Sequence, residues 1–231
     1  MRKPVHGMIA GASVATALAL TVAVAAAQTS APQFDLTKVT DQVYSFRSGI
    51  HRAMVVVTSD GVIVTDPINS MAAKNMMDEI RKVTDKPVKF VIYSHNHWDH
   101  IAGARTFKDQ GAKIIQHALA AQHTRPNPDV VPADETFKDD KHVVTLGDQT
   151  IELIYVGPSH GSGMIVMRVP KERVLNIVDI CTPQRIGFRN FPDGSPQDTI
   201  KALRKVEALD FDRTWPRFRA KGGGHGDSRI P

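Results

Sequence analysis

The chain has 231 residues, 42% hydrophobic and 23% charged, which suits one folded domain with a sizeable core and excludes disorder along its body. Its formal charge of +5 falls to about +3 without Arg2 and Lys3, and no basic run is interleaved with aromatics, which argues against nucleic acid as a partner. A single cysteine, Cys181, excludes an internal disulfide.

Arg2 and Lys3 precede an uncharged stretch, rich in Ala, Val and Leu, from Met8 to Ala27. It ends in Ala25-Ala26-Ala27, a small-residue cleavage pattern before Gln28. The alternative is an uncleaved membrane anchor, since the stretch is nearly long enough to span a bilayer. Its many Ala and Thr residues and its cleavage-like end favour removal. Residues 1–27 are therefore predicted to be a signal peptide, and 28–231 one domain in the periplasm or outside the cell, with no stable membrane association after cleavage. Mass spectrometry of the exported protein is expected to find its first residue at or near Gln28. An intact Met1 in a membrane fraction would identify an anchor instead.

Thr29 to Phe34 reads as a linker, and the alternation in Val43 to Phe46 predicts an edge strand. Met54–Val57 and Val62–Thr65 flank Ser59-Asp60-Gly61, a hairpin turn. Ser70 is placed to cap a helix from about Met71 to Val83, with Ala73, Met76, Met77, Ile80 and Val83 on one face. Val88–Tyr93 is a short apolar run after Pro87, hence a buried strand. Lys113–Gln116 predicts a further strand, followed by a short helix near Ala118. Two more hairpins are predicted, His142–Leu146 with Thr150–Val156 and Met164–Val169 with Arg173–Val178. Ser195-Pro196 starts a helix to about Leu209, serine as cap and proline in the first turn. Strands arrive in groups, which favours two packed sheets flanked by helices over a doubly wound parallel sheet.

The chemistry concentrates directly after the Val88–Tyr93 strand. Residues 94–103 read Ser-His-Asn-His-Trp-Asp-His-Ile-Ala-Gly, so three of the ten histidines and one carboxylate fall in six positions. Incidental histidines on a hydrated loop would rarely cluster so. Imidazole and carboxylate are zinc ligands, and in an extended segment His95 and His97 point the same way and can grip one ion. Asp99 and His100 follow once the chain turns and can serve a second.

His-x-His-x-Asp-His after a hydrophobic strand, followed by Gly103, resembles the signature of the metallo-β-lactamase superfamily. Further motifs follow in the family's order. Val62-Ile63-Val64-Thr65-Asp66 resembles the first, whose aspartate supports the ligands without touching metal. Gly157-Pro158-Ser159-His160-Gly161 resembles the third, Leu175-Asn176-Ile177-Val178-Asp179 the fourth and Gly224-His225-Gly226 the last. The resemblance implies an αββα sandwich, an α/β (α+β) fold, with two zinc ions at one edge. His160 would complete the first zinc, Asp179 would bridge, and His225 would ligate the second. The two ions would share a water, and the resulting hydroxide would attack an amide, lactam or ester carbonyl of a small-molecule substrate, with Asp99 orienting the water. The pattern departs after about residue 212. An apolar strand is expected there, but Arg213 to Lys221 is basic and irregular, so His225 is either a ligand or a histidine in a glycine-rich tail. Two alternatives therefore stay open, a metal-binding domain with impaired or no catalysis and a glyoxalase II-type thioesterase. Cys181 is read as a small buried hydrophobe, and His51, His117, His123 and His142 as ordinary surface or loop histidines.

Overall fold

A computed structural model describes residues 34–181 and 193–215. The predicted signal peptide and His225 lie outside the described residues. Two sheets carry the fold. The first contains β1 (Phe34–Lys38), β2 (Val43–Ser48), β3 (His51–Val57), β4 (Val62–Thr65), β5 (Val88–Tyr93), β6 (Lys113–His117) and β7 (Glu135–Phe137), hydrogen-bonded in that order. β1 to β4 run antiparallel to their neighbours, and β4 to β7 run parallel. The second holds β8 (Lys141–Leu146), β9 (Gln149–Tyr155), β10 (Ile165–Val169), β11 (Val174–Asn176) and β12 (Arg213–Trp215), with only β11 and β12 parallel.

The period of two along each strand divides the apolar residues into three layers. Ala53, Val55, Val62, Val64 and Val91 pack outward beneath α1 (Ser70–Arg81). Met54, Val56, Ile63 and Ile92 point the other way and meet Ile151, Leu153, Ile165 and Met167 of the second sheet. Val166 and Leu175 pack on that sheet's far side against Ala202 and Val206 of α5 (Pro196–Glu207). Three apolar interfaces between four layers make the αββα sandwich. Each fully buried large aliphatic side chain contributes about 1.5–3 kcal/mol of transfer free energy.

Several expectations are corrected. Val43–Phe46 is not an edge strand, because β1 pairs along its whole length, from Phe34 opposite Ser48 to Lys38 opposite Tyr44. The cap of α1 is Asn69, whose side chain accepts from the Ala72 amide at 2.9 Å, and Ser70 is the first helical residue. Ser195 caps α5 as expected, accepting from Asp198 N at 3.1 Å. His117 is buried, stacked on Tyr155 with ring centroids 4.4 Å apart, and accepts from Leu119 N at the start of α4 (Ala118–His123). Arg213–Trp215, for which no apolar pattern was visible, pairs with β11. Among the described residues, no helix is long and apolar enough to cross a membrane.

Candidate metal centre

The C-terminal ends of β4 and β5 and the start of β3 meet at one edge of the first sheet, because β3 is antiparallel to β4 and β4 is parallel to β5. The loop after β5 runs into α2 (Trp98–Ile101), with His97 in extended conformation at its N-cap, and then into α3 (Arg105–Lys108). The second sheet brings His160 from the β9–β10 loop and Asp179 from the segment after β11. The Ile165 amide donates to Ser94 O at 2.9 Å and ties the two sheets together there.

His95, His97, His160 and Asp179 place their ligand atoms within 4.8 Å of one another, and His51, Asp99 and His100 do the same beside them. Asp179 Oδ2 stands between the two groups, 3.5 Å from His95 Nε2, 3.3 Å from His160 Nε2 and 2.9 Å from His100 Nε2. Asp179 holds φ +58, a left-handed conformation costly for a residue other than glycine, and such strain concentrates where side-chain direction matters.

The buried imidazoles are aimed and kept in register by their neighbours. Ser94 Oγ lies 2.8 Å from His95 Nδ1, and His95 Nε2 is buried without a hydrogen bond. The tautomer that bonds Ser94 through Nδ1–H leaves the Nε2 lone pair directed into the cluster. Asp66 accepts from the Ser94 amide at 2.8 Å and sets its second oxygen 3.8 Å from His100 Nδ1. His100 Nε2 makes no aligned hydrogen bond despite its closeness to Asp179. A fully buried ring nitrogen without a partner, such as His95 Nε2, costs about 1–3 kcal/mol, a cost that a metal ion at this position would remove. Two imidazole nitrogens, or three, with a carboxylate oxygen form a donor set suited to zinc.

The charges divide accordingly. Burial, reinforced by His100, His97 and His160, keeps His95 neutral, the form in which imidazole ligates metal. Burial also lowers His160. For His100 burial works in the same direction, but Asp179 and Asp66 outweigh it and push the ring up to about 10. The His51 contact holds the Asp99 carboxyl down at about 2.

Every described site residue expected from sequence is therefore at this edge: His95, His97, Asp99, His100, His160 and Asp179 in the clusters, with Asp66 behind them. Two residues were missed. His51 is not an ordinary loop histidine, since its Nε2 is 3.1 Å from Asp99 Oδ2 and its ring is edge-on to His100. Asp193 Oδ1 is 3.3 Å from His97 Nε2. Gly194 permits this approach, because a Cβ there would stand 2.2 Å from Ser159 O. Cys181 is half-buried against the α5 layer, where burial raises its thiol, and it belongs to neither cluster. A cavity of about 680 Å³ opens beside the cluster, lined by His97, Trp98, Asp99, Arg125 and Asp193 among others.

Residues 47–215 match the family model of the metallo-beta-lactamase superfamily. The 2,4-dinitroanisole O-demethylase subunit alpha of Nocardioides sp. (strain JS1661) is 28% identical over 185 residues, covering 78% of this chain and 56% of that protein. The metallo-beta-lactamase type 2 of Elizabethkingia meningoseptica is 30% identical over 157 residues, 62% of this chain and 61% of that one. The chain thus spans under two thirds of the length of either relative. The fold is similar to that of a metallo-beta-lactamase from Pontibacter korlensis, with a TM-score of 0.66 and 20% identity over 76% of this chain and 85% of that one.

Proposed function

Because the chain belongs to the metallo-beta-lactamase superfamily, we propose that it is a zinc-dependent hydrolase with two metal positions, acting on an amide, lactam or ester carbonyl of a small molecule. His95, His97 and His160 would hold the first ion, and Asp99 and His100 the second, with Asp179 between them. Bound zinc supplies Lewis acidity and lowers the pKa of water to near neutrality. The chain's own residues do the rest. Burial keeps His95 unprotonated, so no proton competes for its lone pair. Asp99 remains anionic at any working pH, so its free lone pairs can accept a hydrogen bond from the attacking water and align it. The exposed indole of Trp98, fixed by its Nε1–H donating to Arg125 O at 3.2 Å, forms an apolar wall for a substrate in the cavity.

The observation that carries this reading is the convergence of His95, His97, His160 and Asp179, whose ligand atoms all lie within 4.8 Å of one another around the buried His95 Nε2, which has no hydrogen bond. Protein saturated with zinc is expected to retain close to two ions per chain by elemental analysis. It is also expected to turn over at least one member of a panel comprising a β-lactam, an ester, a thioester and a phosphodiester. 2,4-Dinitroanisole joins the panel because one relative is named for it. Absence of bound metal after zinc loading would end the reading. Metal without turnover would leave a metal-binding domain lacking competent catalysis.

A further inference from the structure

We propose that His51 is a protein ligand of the second metal ion, reaching it from the β2–β3 hairpin across the sheet edge. The inference rests on the two-metal reading above and adds a donor that lies outside all the motifs expected to build the site. His51 is the first residue of β3. Its Nε2 is 3.1 Å from Asp99 Oδ2, which in turn is 3.9 Å from His100 Nε2. The three ligand atoms all fall within 4.8 Å of one another. A tetrahedral zinc with bonds of about 2.0–2.1 Å requires its donors roughly 3.3 Å apart. The His51–Asp99 and Asp99–His100 distances of 3.1 and 3.9 Å lie on either side of that value.

The orientation agrees. The rings of His51 and His100 are 5.2 Å apart and 70° to each other, an edge-on arrangement that lets both direct a nitrogen at a common point. His100 Nε2 is buried and faces both carboxylates, 2.9 Å from Asp179 Oδ2 and 3.9 Å from Asp99 Oδ2, so its nitrogen is aimed into the cluster. The His51 side chain is about three-quarters buried. Two imidazoles and a carboxylate make a zinc set that leaves a fourth place for Asp179 or for substrate. Binding would tie residues 48 positions apart in sequence, so the second ion would also fasten the hairpin to the α2 loop.

The alternative is that His51 merely orients Asp99 by a hydrogen bond, and two variants separate the readings. In stepwise zinc titration, His51→Gln is expected to keep the first ion and lose second-ion affinity on the order of 100-fold or more. A glutamine amide can still donate to Asp99 but is a poor zinc ligand. His51→Cys loaded with cobalt(II) is expected to show a thiolate-to-cobalt charge-transfer band absent from the cobalt-loaded parent protein, since thiolate is a strong ligand for such ions. Two ions bound by His51→Gln as tightly as by the parent would overturn the proposal. A parent protein that holds only one ion overturns the role of His51 and leaves the first site standing, whereas a parent that holds none removes the hydrolase reading as well.

Discussion

His97→Ala is expected to cut hydrolysis by at least about a thousandfold while leaving the metal-free fold close to its original stability. His97 sits at the N-cap of α2, but its side chain makes no capping hydrogen bond there. It is partly exposed and belongs to none of the three apolar layers. What it touches is the site: its ring lies 4.6 Å from those of both His95 and His160. On the proposed assignment, truncation therefore removes one donor of the first metal and little packing, and substitutions away from a core change stability by about 0.5 kcal/mol or less. The loss of affinity is large, because losing even a supporting contact costs about 10–100-fold and losing a ligand costs more. Zinc should also stop protecting the protein. An ion present at a thousand times its dissociation constant stabilises by about 4 kcal/mol, and the variant should forfeit most of that. Thermal melts with and without zinc, alongside initial rates, test both halves. Near-normal turnover would show that His97 is no part of the centre, and a metal-free protein that fails to fold would give it a structural role instead.

The centre was legible in the sequence where its residues follow a single strand. Val88–Tyr93 forms β5 with the expected bounds, and the histidine cluster begins at its end, so local pattern and site coincide. His51 was not legible. It lies far from the cluster in sequence and reaches it only through strand register. Val55 opposes Val64, and Val64 pairs beside Val91, so the beginning of β3 falls at the same sheet edge as the end of β5. The usable signal was its place just before an apolar strand that turns back on the Asp66 strand, which puts His51 across from the Asp66 end of that strand. The short elements failed for a different reason. α2 and α3 have four residues each and β7 has three, too few to express a period of 3.6 or 2. The cap of α1 was misplaced by one residue because Asn69 and Ser70 are both good caps, and the choice falls to the loop before them. There Ile68 adopts φ +67, an outlier for a β-branched side chain, held by its amide donating to His100 O at 2.7 Å.

That same loop explains why the cluster is followed by a glycine, and Gly103→Ala is expected to destabilise the protein by about 3 kcal/mol or more. A Cβ on Gly103 would stand 2.4 Å from Pro67 O, 2.6 Å from Asn69 O and 2.9 Å from Ala73 Cβ. Two of these are backbone carbonyls, which cannot rotate away as the end of a flexible side chain would. Asn69 O is already engaged, accepting from Ala73 N at 2.8 Å in the first turn of α1. Relieving the clash means pushing the α2–α3 segment off the 66–69 loop, and the Ile68–His100 hydrogen bond is what joins them. A melting temperature lower by roughly 6–12 °C is expected, since 1 kcal/mol corresponds to about 2–4 °C for a domain of this size. The same displacement would separate Asp66 from His100, so the second metal should weaken by about 10–100-fold, as for other residues that support a ligand from behind. The first metal position proposed above, assigned to His95, His97 and His160, should be less affected. Gly111 provides the comparison: its φ is +92, and a Cβ there meets nothing within 4 Å. Gly111→Ala therefore introduces backbone strain of about 1–3 kcal/mol with no clash and no path to the site. If Gly111→Ala weakened the second metal as much as Gly103→Ala, the effect at Gly103 would reflect general loosening of the fold rather than the close approach of two carbonyls. If Gly103→Ala melted like the parent protein, the loop and α2 would have to be free to part, and the support assigned to Asp66 would fall with that contact.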